Sequence, residues 1–323
     1  MDKELFKLAT EAALVVEREK GIGTLSEGLL HSAIKYYYQP DSMLHEMKVA
    51  GFVCDAVTDD RRFGYSVLEV QTSSFGYLKR KLERLFSSVE LGEAADAGHE
   101  AAKSEKESCR ENISKEIVGE ENAGNAVKPR KLSENDLAAR NGGKEIDFPG
   151  SVTVVYPLES SKQLIWIDPD TGDTVQGGKS KKGFIPARCL WELYSLKEFV
   201  GKKGFTFVIL GLKLEEQKLL CGWSKDRKRG SRRVARIPIE LTHELIFKEL
   251  SDYAALVPEE LGDRFGAADF RKATKMTERT ARAALYCLME IGVLDREREG
   301  RGYRYYVRED IQKTSDKFIK NDG

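Results

Sequence analysis

Residues 44–86 read LHEMKVAGFVCDAVTDDRRFGYSVLEVQTSSFGYLKRKLERLF. The stretch parses as two or three short strands followed by a basic helix. Strand side chains alternate with period two, so Val67, Glu69 and Gln71 share one face while Leu68 and Val70 point to the core. Asp55 stands in an equally apolar run, Phe52-Val53-Cys54-Asp55-Ala56-Val57. Carboxylates at such positions are rarely buried unless they are paired or bind a metal. Asp55 and Glu69, fourteen residues apart on neighbouring strands, are placed to converge on one hard cation. The alternative is that each pairs with a Lys or Arg in an ordinary ion-pair network.

The composition fits this reading. A chain of 323 residues, 41% hydrophobic and 33% charged, has room for about two domains and a sizeable core. No apolar run approaches the roughly 20 residues of a membrane helix. The opening MDKELFKLATEAALVVEREK carries acids and an amphipathic rhythm, unlike a signal peptide. Five dispersed cysteines without a CxxC pair point to a reducing cytoplasm and away from structural zinc. Net charge is zero, yet Lys225 to Arg236 holds seven basic residues and one acid. Such a run is either an electrostatic footprint or a solvated loop.

Along the chain, residues 3–19 carry an apolar helical stripe that Gly21 and Gly23 end. Thr24 with Glu27 fits a capping box that opens a second helix closed by Pro40. After the strands, a helix runs from about Gly76 to Ser88, with Leu78, Leu82, Leu85 and Phe86 opposite Lys79, Arg80, Lys81 and Arg84. Residues 91–147 hold no aromatic side chain and few branched aliphatics, which predicts a disordered insertion. Strands are expected at 152–156 and 163–168, a Gly/Lys loop at 177–183, a helix at about 185–199 and an apolar strand at 205–213. Continuous apolar strands imply a sheet covered on both faces by helices. Residues 1–90 and 148–250 therefore make one interrupted α/β domain. Residues 256–312 follow the helix, turn, helix, two-stranded ribbon plan of a winged helix-turn-helix, with a flexible tail at 313–323.

Asp55 with Glu69-Val70-Gln71 resembles the PD-(D/E)xK nuclease superfamily signature, with Cys54-Asp55 for PD and Gln71 in the lysine position. Glu-x-Gln followed by Thr72-Ser73-Ser74 is similar to the variant in competence CoiA-like nucleases. The resemblance covers roughly residues 24–90. It implies a restriction-endonuclease-like core, a mixed central sheet flanked by helices, in which Asp55 and Glu69 hold Mg²⁺ or Mn²⁺ for DNA phosphodiester hydrolysis. Gln71 departs from the pattern, since an amide carries no charge; it is assigned to position the attacking water. Lys79 or Lys81, from the next helix, is assigned to contact the phosphate. Glu27 is a helix acid of the kind that completes such a site, though the capping box explains it equally. Glu46 is either a third ligand or a surface residue, and His31 and His45 read as structural.

Lys225, Arg227, Lys228, Arg229, Arg232 and Arg233 are candidate phosphate donors, with a hairpin tip as the alternative. In the winged helix, Arg279 and Arg282 face the DNA, and the ribbon brings Arg301 and Arg304. A winged helix that binds protein instead is the alternative there. The expected partner is duplex or branched DNA, with a homodimer left open and no membrane. The rival to a nuclease is a non-catalytic DNA-binding regulator that keeps the nuclease-like scaffold.

Overall fold

The computed structural model describes residues 1–19, 25–60, 64–72, 74–97, 150–180, 183–221 and 230–311. Side chains at 17–19, 25–27, 64 and 88–97 stand outside that description. The expectations for Gly21, Gly23, Thr24, the tail 313–323 and most of the insertion fall outside it too.

Two helices come first, α1 (Lys3–Glu19) and α2 (Leu25–Tyr38). Three strands follow, β1 (His45–Val49), β2 (Phe52–Asp60) and β3 (Gly64–Val70), then α3 (Gly76–Ala97). The helix after β3 thus continues nine residues past the expected end at Ser88. It enters the stretch read as disordered from position 91, because Ala, Glu and Leu in 88–97 are good helix formers whatever their aromatic content.

Beyond position 149 come β4 (Val152–Ile167) and β5 (Thr174–Ser180). Two 3₁₀ turns, Pro186–Cys189 and Tyr194–Phe199, flank a single α-turn, α4 (Leu190–Leu193), where one regular helix was expected. Strands β6 (Phe205–Leu219) and β7 (Arg232–Phe247) complete the main sheet, in the order β1-β2-β3-β4-β6-β7 with β5 also on β4. The β3–β4 and β4–β6 pairs are parallel and the rest antiparallel. A 3₁₀ segment (Leu250–Leu256) leads to α5 (Ala267–Thr274), α6 (Glu278–Glu290) and the hairpin β8 (Leu294–Glu299) and β9 (Gly302–Val307). Among the described residues no helix is long and apolar enough to cross a membrane.

The chain is therefore mixed α/β, a large mixed sheet with helices on both faces. On one face Leu68, Val70, Val155, Val208 and Leu210 pack under α1 and α2 through Phe6, Leu30 and Ile34. On the other, Val67, Val154 and Phe207 meet Leu78 and Leu82 of α3, and that core runs on to Phe270 of α5 and Leu285 of α6. The C-terminal helices and hairpin share this second core with the sheet.

Two strands expected separately, 152–156 and 163–168, are one. Gln71 N–H donates to Val155 O, so odd-numbered residues of β4 turn their backbone groups toward β3. Pro157 is next on that side, past β3's last pairing at Val70↔Val155 and before β5 begins at Lys162↔Ser180. Its missing N–H falls in the gap between two neighbours and costs no ladder bond. The Gly/Lys segment expected to be a loop is largely β5. There Gly177 lies against Trp166, and an added Cβ would come within 2.6 Å of the indole Nε1.

Gly211 on β6 is a similar close approach. An added Cβ would sit 2.8 Å from the Phe184 ring and 2.9 Å from Thr242 Oγ1, where Phe184 stacks on His243 at 4.0 Å. Gly211→Ala is expected to lower unfolding free energy by about 1–3 kcal/mol, the usual cost of overpacking, read as a shifted midpoint in denaturant titration. An unchanged midpoint refutes the close packing.

Candidate functional site

Strand β2 changes partners along its length. Residues Phe52–Ala56 pair with β1, while Ala56–Asp60 pair with β3 up to Ala56↔Leu68. Beyond Leu68, β3 keeps only its other neighbour, through Glu69↔Val154 and Val70↔Val155. The two strands part at the position where Asp55 and Glu69 face one another. Separation leaves the Val70 N–H without its cross-strand carbonyl, and a buried amide must be satisfied. Asp55 Oδ2 accepts it at 2.7 Å. Positive φ at Glu46 marks the same level on β1, opposite Asp55 in the hairpin register.

Each carboxylate has a basic side chain from a different side of the sheet. From α2, His31 Nε2 lies 3.1 Å from Asp55 Oδ1. From α3, Lys81 Nζ lies 2.5 Å from Glu69 Oε1 and donates to Val53 O at 2.7 Å. Burial alone raises the Asp55 carboxyl, but the His31 bond and charge, the Val70 amide and the Lys35 charge together hold it below its ordinary value. Glu69 differs. Burial pushes it up and the Asp55 charge adds to this, so against the pull of Lys81 it reaches about 7. Burial depresses the Lys81 ammonium, yet Glu69 and its neighbours leave it raised and charged. The pair is uneven: the ammonium is well held and the carboxylate is under-compensated. Cys54 beside them is an inert thiol, pushed up to about 12 by burial and by Glu69.

Of the residues assigned from sequence, Asp55, Glu69 and Lys81 come together here. Gln71 follows on the same strand edge, half-buried, its amide N–H engaged by Val155 O. Lys79 does not join. Two residues from Lys81 on a helix is about 200° around the axis, and its Nζ is 2.8 Å from Glu198 and 3.7 Å from Glu83. Glu46 is an exposed strand residue paired with Lys35. The Glu27 side chain lies outside the described residues. His45 is structural, with Nε2 2.7 Å from Gln39 O and its ring against Tyr36. Sequence reasoning missed the place of His31. The signal was present: Glu27, His31 and Lys35 recur at four-residue spacing along one face of α2. Among the described residues no group of three or more His, Cys, Asp or Glu side chains is gathered closely enough to hold a metal.

The basic residues are less free than their sequence suggests. Lys225, Arg227, Lys228 and Arg229 lie outside the described residues. Arg232 and Arg233 open β7, Arg233 within 3.8 Å of the buried Glu216. Arg282 pairs with Glu278 at 2.6 Å, and Arg304 with Glu299 at 2.5 Å and Asp269 at 3.3 Å. Arg279 lies over Trp191, 5.6 Å from the ring centroid, and Arg301 is exposed at the hairpin turn.

Residues 28–91 and 148–248, just over half of the chain, match the family described as a domain of unknown function (DUF8091), and the chain belongs to it. An uncharacterized protein of Treponema pallidum (strain Nichols) is 39% identical over 64 residues, 20% of this chain and 24% of the relative. The match thus spans about a quarter of that relative's length. No solved structure matches. The family match includes His31, Asp55, Glu69 and Lys81, and leaves out the insertion and the C-terminal helices and hairpin.

A carboxyl whose folded pKa is raised above its unfolded value destabilises the fold as it ionises. Stability is therefore expected to fall by about 1–3 kcal/mol as pH rises from the ordinary glutamate range through 7. Denaturant titrations across that range check this, and Glu69→Gln is expected to flatten the slope. A wild-type slope of opposite sign removes the under-compensated carboxylate.

Proposed function

We propose that this member of the DUF8091 family hydrolyses phosphodiester bonds in DNA with the help of a divalent ion, Mg²⁺ or Mn²⁺. One observation carries the reading: two acids stand at the same level of neighbouring strands where those strands part, with a lysine ammonium from the following helix set against one of them. The donor set fits the ion. Mg²⁺ takes one or two carboxylates and completes its sphere with water and phosphate oxygens, which Asp55 and Glu69 suit and thiol or imidazole clusters do not. When bound, the ion supplies neutralisation of phosphate charge and an acidified water.

The chain's own residues do the rest. The His31 imidazole and the Val70 N–H fix the Asp55 side chain from two sides, so that it does not swing out of the gap between the strands. The Lys81 ammonium, held by Val53 O as well as Glu69, presents positive charge where a phosphate oxygen enters. The Gln71 amide, two residues along, orients water by hydrogen bonding without adding charge. On this reading α5, α6 and the β8–β9 hairpin form a winged helix that holds the DNA, with Arg301 at the hairpin and Arg232 and Arg233 on phosphates. The PD-(D/E)xK core and the reducing cytoplasmic setting belong to the same proposal.

A second reading, a DNA-binding regulator on a nuclease-like scaffold, is favoured by the pairing itself. His31 and Lys81 already engage both acids, as they would in a site that has lost its ion.

Purified protein with plasmid or branched DNA and Mg²⁺ or Mn²⁺ decides between them. Cleavage is expected, abolished in Asp55→Ala and Glu69→Ala and reduced about 10²-fold in Lys81→Ala, the loss typical of one charge-stabilising donor. Cleavage unchanged in either acid variant overturns the assignment. A salt-sensitive gel shift with no cleavage by any form establishes the regulator.

A further inference from the structure

Between α4 and α6 lies an open cleft of about 410 Å³, whose lining includes Ser74, Trp191, Tyr194, Ser195 and Tyr286 together with one acid, Glu192. Its three aromatic side chains are well exposed, Trp191 at 46%, Tyr194 at 39% and Tyr286 at 48% of their full surface. Soluble proteins scatter exposed apolar groups singly, and clustering marks a contact surface. The rings are also arranged. Tyr194 and Tyr286 are 5.7 Å apart between centroids, Arg279 lies over Trp191 at 5.6 Å and Lys197 over Tyr194 at 4.8 Å. Lys197 is tied to Glu290, whereas Arg279 makes no ion pair among the described residues. Flat faces with the Arg279 guanidinium beside them suit a ligand that is aromatic and anionic at once, the phosphate lying on the Arg279 side, clear of the Glu192 carboxylate.

We propose that this cleft binds the unpaired bases of a single DNA strand, with Trp191 and Tyr286 as the stacking platform and Arg279 on the adjoining phosphate. Base stacking on aromatic side chains needs bases whose faces are open, so an intact duplex does not satisfy it. The volume falls in the range that encloses a nucleotide-sized ligand. Position supports the occupant. Ser74, at the rim, follows Gln71 by three residues, and Lys79 on α3 reaches Glu198 in the turn that carries Tyr194. A strand lying in the cleft therefore runs past the start of the helix that supplies Lys81. The inference deepens the nuclease reading and rests on it for its substrate, making the preferred DNA one with an unpaired end or branch.

Anisotropy of a labelled oligothymidylate, an abasic strand of equal length and a blunt duplex, added to the full chain without divalent ion, tests it. The thymidylate is expected to bind tightest. Trp191→Ala and Tyr286→Ala are each expected to weaken it about tenfold, far more than they weaken duplex binding, and Trp191→Phe to retain most of it. Thermal melts confirm that each variant folds; the surface position of Tyr286 keeps that variant informative if Trp191→Ala does not fold. Equal binding of the thymidylate and the abasic strand, or unaltered affinity in the folded variants, overturns the inference, and so does no binding of any strand. Because no ion is present, a chain that stacks bases but cleaves nothing keeps this inference and loses the nuclease. A chain that cleaves duplex DNA indifferently to Trp191→Ala does the reverse.

Discussion

The contact on which the site depends is a 2.7 Å hydrogen bond from the Val70 amide to the Asp55 carboxylate. Two antiparallel strands can separate inside a protein only if the backbone groups they abandon find other partners. An aspartate one residue beyond the last paired position supplies the missing acceptor and carries a charge into the gap. That charge then needs compensation, which His31 provides from one face of the sheet. Glu69, opposite, is compensated by Lys81 from the other face. Strand separation, the two acids and the two basic side chains form one arrangement. Substituting Asp55 removes the amide's acceptor as well as a charge.

The two-sided sheet explains why the basic side chains come from opposite directions. Helix α2 lies over the face of Leu68 and Val70, and α3 over the face of Val67 and Phe207. A side chain at the separation is reachable from both. The same burial explains the C-terminal helices. Their inner residues Phe270 and Leu285 continue the core beneath α3, so α6 is packed on the main domain through α4. Of the residues that a free recognition helix would turn to DNA, Arg282 pairs with Glu278, and Arg279 lies over Trp191 at the seam with α4. What α6 presents at that seam is the Tyr286 ring, beside Trp191 of α4 and Tyr194 of the turn after it.

The elements legible in the sequence were those whose signals are local. Helix α5 falls at 267–274 as its pattern requires, and Thr277 caps α6 by accepting from the Thr280 N–H. The acid pair was visible because a carboxylate in an apolar strand demands an explanation. Three features were not visible, each for a reason outside the local chain. Residues 152–156 and 163–168 read as two strands, and only the arrangement of neighbours on β4 shows that Pro157 between them loses no hydrogen bond. Strand β5 is Gly- and Lys-rich and forms because β4 offers it an edge, with Gly177 small enough to pass Trp166. His31 read as structural because Mg²⁺ prefers oxygen ligands, and its place beside Asp55 was not seen because that partner lies 24 positions away on another element. The choice between Lys79 and Lys81, by contrast, follows from helix geometry once the position of the sheet is known.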